Sequence, residues 1–395
     1  MIKRVFWCAG PGDIIDAHGY WKRNQRYPTE VSLTFSGQIE DFCREIGALG
    51  HFVATHQRRD YVRDGAFTLE HRPKRLRGGA AFHVGEVLYG LGLWMTAVRF
   101  KADVALVDSG CAHFFVFSLF RLSRIQVVPI LHNTLWPSGF PPRKLIPRIV
   151  LRLDSLIFWR RVPTAVIAVS PECARQVDIL RREKRYPILQ TRAQFYSDYF
   201  AKIAPAPAYE NRPFRIMYIG RIVRVKGVFD ILEIARKIEN SHPGLIRWEM
   251  CGRGRDFDEL KNRHRELLLD EVVVLRGWTS LEDLVNVYGR SHASIVPTRS
   301  GFTEGLAMTA AEAILAGRPV ITNPVVPALE VLRRACVEAK TDDTASHLEA
   351  VMRIATDSKL YTQTCAACTD YRAQFFDREN FGLSAVLKRA LSRYL

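Results

Sequence analysis

Long apolar runs are missing from this 395-residue sequence. None approaches the ~20 residues that a membrane-spanning helix needs. The longest, residues 87–98 and 112–120, read as buried helices. The first ten residues lack the extended apolar core and small-residue cleavage site of a secretion signal, and read as a first strand. Cysteine is sparse, with eight in the chain and a single Cys-x2-Cys, Cys365 and Cys368. Without a second pair it does not make a zinc site, and no metal is expected. Reduced thiols in a cytoplasm are the expectation. There is no fixed-period repeat and no low-complexity segment. Zinc-finger, RRM and KH signatures are also missing, so nucleic acid is not the expected partner.

What is present is the composition of a folded protein, 48% hydrophobic and 25% charged. The length suits two ordinary domains. Proline-rich residues 205–213 read as the linker. The net charge is +16, unevenly spread. Residues 1–210 hold 30 Lys and Arg against 18 Asp and Glu, whereas residues 211–395 hold 27 against 23. A basic first half suggests an anionic partner.

Strands and helices alternate in both halves. Strands are expected at 2–8, 50–54, 102–108, 126–131 and 165–169, and again at 214–219, 246–251, 271–275 and 293–296. That alternation predicts an α/β chain with two doubly wound parallel sheets. Residues 10–36 read as a long loop carrying Tyr20 and Trp21, and 71–77 as a basic, proline-interrupted loop. Lys144, Arg148 and Arg152 recur at four-residue spacing beside an aliphatic face, with Trp159 near the end of that stretch. A basic amphipathic helix of this kind suits an anionic membrane surface; an ordinary packed helix with a solvated basic face is the alternative.

The stretch 294–322 reads as strand, loop, helix, strand. Thr303 is a plausible N-cap, which would start the helix at Glu304, and Gly317 would stop it. Glu304 and Glu312 would then share one side of one helix, about 12 Å apart along its axis. Upstream, Gly220-Arg221-x4-Lys226-Gly227 sets a forked and a point cation on a glycine-flanked loop. Two such cations can stabilise a departing diphosphate without a metal ion.

Glu304-x7-Glu312, Ala316-Gly317-x-Pro319 and the Arg221/Lys226 loop together resemble the retaining glycosyltransferases of family 4. The resemblance is strong over about 215–325 and weaker over 37–55 and 126–170. It implies the GT-B fold, two Rossmann-like domains facing a central cleft. Residues 1–205 would bind the acceptor, with a last helix at about 378–395 packing back on them, and 210–377 would bind a nucleotide sugar. It implies a hexose moved to a glycan or lipid-linked saccharide in cell-surface polysaccharide synthesis, by a cytoplasmic enzyme peripheral on the inner membrane face. Catalytic roles would fall to His132, Glu304, Arg221 and Lys226. The donor would meet Gly37, Gly220, Gly252, Gly277, Trp278, Gly305, Leu306, Ala307 and Glu312 as well, with Gly10 and Gly12 as alternatives to Gly37. Acceptor or membrane contact would involve Tyr20, Trp21, Lys144, Arg148, Arg152 and Trp159. Two departures stand out: Gly305-Leu306-Ala307 replaces the family's Gly-Phe-Gly, and Ser36-Gly37 its Gly-Gly. Rival readings are a nucleotide-sugar epimerase or hydrolase of the same fold, and a non-enzymatic binder of anionic polymers.

Overall fold

The computed structural model describes residues 1–74 and 78–395. Arg75, Leu76 and Arg77, part of the expected basic loop, lie outside the described residues. The chain divides into two compact units. One comprises Met1–Leu135, Pro142–Gln194 and Asp377–Leu395; the other comprises Trp136–Pro141 and Phe195–Phe376.

In the first unit the strands are β1 (Arg4–Ala9), β2 (Leu49–Ala54), β3 (Asp60–Asp64), β4 (Phe67–His71), β5 (Val104–Asp108), β6 (Gln126–Leu131), β7 (Val166–Ala168) and β8 (Ile188–Gln190). They form one sheet in the order β3-β4-β2-β1-β5-β6-β7-β8. Every pairing is parallel except β3 with β4. The central strands are buried nearly throughout, as their unbroken apolar runs require when helices cover both faces. The β3–β4 hairpin was not expected. Its signal was Asp64-Gly65, with Gly65 at φ +55° in the two-residue connection.

The helices that matter here are α1 (Ile14–Lys22), α2 (Phe35–Glu45), α3 (Ala80–Phe100), α4 (Ser118–Leu122), α5 (Leu145–Leu153) and α6 (Pro171–Arg181). Residues 10–36 are therefore not one long loop. Asp13 caps α1, its side chain accepting from the Asp16 N–H, and the apolar Ile14 and Ala17 bury that helix against the sheet.

The second unit holds β9 (Phe214–Ile219), α7 (Val228–Ser241), β10 (Ile246–Cys251), α8 (Phe257–Glu266), β11 (Val273–Gly277), α9 (Leu281–Arg290), β12 (Ala293–Val296), α10 (Met308–Leu315), β13 (Val320–Thr322), β14 (Cys336–Glu338), α11 (Thr344–Thr356) and α12 (Ser358–Cys368). Its parallel sheet runs β11-β10-β9-β12-β13-β14. The order reverses between β9 and β12. In open α/β sheets such a switch point opens a crevice at the carboxyl ends of the strands. Here it lies between the Arg221/Lys226 loop and the loop carrying Glu304.

A last helix, α13 (Leu383–Ala390), belongs to the first unit. The Leu383 N–H donates to Gln38 Oε1 (2.8 Å), and Lys388 Nζ pairs with Glu45 (2.6 Å), fixing it on α2.

Candidate active site

Glycines set the floor of the second unit's site. Gly252 sits at φ +142° with its Cα against the Gly220 carbonyl, where a Cβ would collide with that backbone. Its N–H donates to the Gly277 carbonyl (2.7 Å), and the Gly220 N–H to that of Cys251 (3.0 Å). Three strand ends are thereby laced together, and only side-chain-free positions permit it. Gly227, at φ +72°, also lies too close to the Pro297 carbonyl for a Cβ. This contact lays the Arg221–Lys226 loop beside residues 297–307. The Arg299 N–H donating to the Val225 carbonyl (2.9 Å) fastens the two. Arg299 itself is held by Asp230 at 2.9 and 3.0 Å.

On that platform Lys226 Nζ is ion-paired with Glu304 Oε1. The same oxygen accepts from Thr298 Oγ1 (3.1 Å). Glu304 is 5% exposed, so these partners take the place of water around its carboxylate. Lys226 Nζ lies 4.3 Å from the centre of the Phe302 ring, and Arg221 Cζ 5.4 Å from it. One aromatic ring therefore gathers both cations. Arg221 is exposed, its carbonyl accepting from the Tyr218 hydroxyl (2.8 Å). Burial, then the Glu304 carboxylate, holds the Tyr218 phenol well above its ordinary pKa. Glu312 Oε2 accepts from the Tyr288 hydroxyl (3.1 Å). Trp278 stands 65% exposed just beyond Gly277.

The sequence misplaces the helix start. Glu304 is not in a first turn and Thr303 is not the N-cap. The chain runs irregularly to Ala307, whose φ of +70° and ψ of +92° break the path, and α10 begins at Met308. The axial separation of two acids on one helix does not apply. The Ala307 carbonyl takes the first helical bonds, from Ala310 and Ala311. Gly305, Leu306 and Ala307 are thus the buried approach to a helix N-terminus, whose first amides have no partner within the helix.

In the first unit the switch between β1 and β5 centres on Asp108, which the sequence reading passed over. Asp108 is 4% exposed. It accepts from Trp7 Nε1 (3.0 Å) and from the Gly10 N–H (3.2 Å), and His132 Nε2 lies 3.1 Å from its Oδ1. Phe35 meets the His132 ring edge-on at 4.4 Å. His132 Nδ1 is buried with no hydrogen-bond partner among the described residues. A proton on Nε2 facing the carboxylate leaves Nδ1 with an unshared lone pair.

Gly37 lies in the first turn of α2, its N–H already taken by Thr34 Oγ1 (3.1 Å), with Trp21 packed beside it. Gly10 and Gly12 face open space. Trp21 donates to Asp41 (2.9 Å), and Tyr20 packs edge-on against Tyr27. Lys144, Arg148 and Arg152 are exposed, as the amphipathic pattern anticipates. Trp159 is not: it is fully buried, its ring 4.6 Å from Phe114, and it cannot touch a membrane. After Leu153 the chain widens into a π-helical turn, Asp154–Trp159, which rotates Phe158 and Trp159 into the core instead of continuing the exposed face.

Residues 201–368 match the family described as glycosyl transferases group 1. Over that stretch, less than half of its length, the chain is similar to the group 1 glycosyl transferases. The matched stretch includes every residue of the second unit's site named above. A glycogen synthase of Mycobacterium tuberculosis is 26% identical over 113 residues, 29% of this chain and 26% of that protein. The match thus spans about a quarter of the curated relative. Among solved structures, the sucrose-phosphate synthase of Thermosynechococcus elongatus superposes with a TM-score of 0.71 at 14% identity, with all of both chains covered. The Anabaena protein HepE, in complex with UDP, gives 0.67 at 14% identity over 99% of this chain and 100% of that one. These likenesses show the fold, which is GT-B.

Proposed function

We propose that the protein is a retaining glycosyltransferase of the family 4 type, moving a hexose from a nucleotide sugar to a glycan or lipid-linked saccharide. The observation that carries this reading is the gathering of Arg221 and Lys226 at Phe302, with Glu304 paired to Lys226, at the switch point of the second sheet. Arg221 and Lys226 hold the donor diphosphate and neutralise it as it leaves, in place of a metal ion. Binding draws Lys226 toward phosphate and frees Glu304 to accept from sugar hydroxyls. The amides ahead of α10 face the same anion. Glu312 takes the ribose.

Among the described residues no carboxylate stands out as a covalent nucleophile. The reaction therefore proceeds on the front face. The bond from C1 to the diphosphate oxygen breaks, the acceptor oxygen bonds C1 from the same side, and its proton passes to the departing β-phosphate. His132, oriented by Asp108, offers Nδ1 to a sugar hydroxyl. Nucleotide-bound structures among the relatives support a nucleotide donor.

The acceptor reading rests on α5. None of its residues is buried, and Leu145, Ile146 and Ile149 are 70%, 50% and 48% exposed. With Val84 and Leu88 of α3 it borders an apolar groove of about 440 Å³. Lys144, Arg148 and Arg152 flank it. Such a face suits the anionic inner surface of a membrane holding a lipid-linked acceptor. No described helix is long and apolar enough to cross a membrane. A calorimetric screen of UDP- and GDP-sugars tests the donor assignment. Binding of at least one, lost in Arg221→Ala, supports it, and binding of none contradicts it.

A further inference from the structure

The first unit has a second concavity, unconnected with the chemistry described above. It opens where β6 and β8 begin, at Gln126 and Ile188, and encloses about 910 Å³. His132 follows the opposite end of β6, a six-residue strand, so roughly 20 Å of sheet separates the two. Six exposed cations line the concavity: Arg121, Arg161, Lys184, Arg185, Arg389 and Arg393. They come from α4, from the segment after the π turn, from the loop after α6, and from the C-terminal segment around the end of α13. Only the fold brings them together. The single acid in the lining, Asp178, is already consumed by the buried Arg181, whose Nε donates to it at 2.7 Å.

The six are poorly compensated. Arg121 donates to the neutral Gln126 side chain (3.2 Å), and Arg389 donates to the Asn380 carbonyl (2.5 Å) with the Asp377 carboxylate near enough to feel its charge. Arg185 pairs with the exposed Glu183 (2.6 Å). Arg161, Lys184 and Arg393 have no acidic partner among the described residues. Like charges converging on one hollow repel, and an anion bound among them relieves that repulsion.

We infer that this hollow binds a small molecule carrying two or more adjacent phosphates. Its volume is that of a small-molecule site, and its walls are concave, which does not match a flat bilayer. Guanidinium forks fit phosphate bidentately. Two tyrosines are in the lining: Tyr186 is buried, its hydroxyl donating to the Trp159 carbonyl (2.5 Å), and Tyr394 is 38% exposed. Six cations against one half-exposed ring make recognition chiefly of the phosphates. Placement at the far edge of the sheet makes the ligand an effector, not a reactant. The inference stands independently of the proposed activity.

The test is calorimetry of inorganic tripolyphosphate with the full chain, wild type and variants, at low and raised salt. Arg161→Ala/Arg393→Ala should weaken binding at least tenfold. Arg221→Ala should leave this site unchanged, and wild-type affinity should fall with salt. Lys184→Ala/Arg185→Ala is a second pair on exposed positions, with the same expectation, should the first not fold. Absence of tripolyphosphate binding overturns the inference. So does binding that survives both pairs but disappears in Arg221→Ala, which would place it in the donor site. If tripolyphosphate fails while phosphatidylglycerol vesicles bind and the double variant abolishes it, the hollow is a lipid-headgroup surface and the inference falls.

Discussion

Lys226 and Glu304 form a mutually dependent pair. Glu304 is nearly buried, and removing its cation leaves a carboxylate short of a partner. Lys226→Ala should therefore lower the melting temperature as well as cut kcat/KM by roughly 100-fold or more. Lys226→Met/Glu304→Gln should recover the stability and none of the activity; calorimetry beside a transfer assay separates the two losses. A double variant as active as wild type would remove both residues from the mechanism. For the first unit, Asp108→Asn should mimic a partial His132→Ala, lowering kcat more than donor affinity, because the acid sets which ring nitrogen carries the proton. An unchanged kcat in Asp108→Asn would show that the pair is only structural. At this scale the sequence was partly readable. The cations and acids announced themselves as charged groups at strand ends. Asp108, Thr298 and Phe302 did not, because nothing local distinguishes a strand-end acid or a loop phenylalanine from its neighbours. Their roles come from contacts across the fold.

Among elements, helices set by apolar periodicity were legible, whereas their starts were not. The α10 start failed because a non-glycine residue, Ala307, adopts a positive φ, which propensity disfavours and packing imposes. The α5 segment failed differently: its periodicity held to Leu153 and then slipped through the π turn. That turn is anchored by Asp154, whose Oδ1 accepts from the Phe115 N–H at 2.7 Å. Burial pushes the Asp154 carboxyl up to about 7, against backbone bonds that pull it down. A folded-state pKa above the unfolded value means the native state holds the proton longer. This contribution to stability is fully present below about pH 4 and is lost as pH rises through about 7. Asp154→Asn keeps an acceptor for Phe115 and should be the more stable protein at pH 8, by a few degrees in melting temperature, with the advantage gone at pH 4. Equal melting temperatures across that range would refute the titration. For the outer face of α5, neutralising Lys144, Arg148 and Arg152 to Gln should abolish co-sedimentation with anionic vesicles while leaving donor binding intact. Undiminished sedimentation would remove the membrane role.

The whole molecule was legible in outline because parallel sheets write themselves as repeated apolar runs followed by glycine-rich turns. β9, β10 and β12 fall on the residues their runs mark. Less visible were the short strands β8 and β14, three residues each, whose sheet membership depends on neighbours rather than on pattern. Two sheets, each reversing its strand order at a loop of polar residues, make the frame on which the account stands. The most direct measurement is isothermal titration of the preferred UDP- or GDP-sugar against wild type, Arg221→Ala and Lys226→Met. The account predicts saturable binding in the first and at least a tenfold loss in each variant with the fold intact. Binding of equal strength in all three would contradict it.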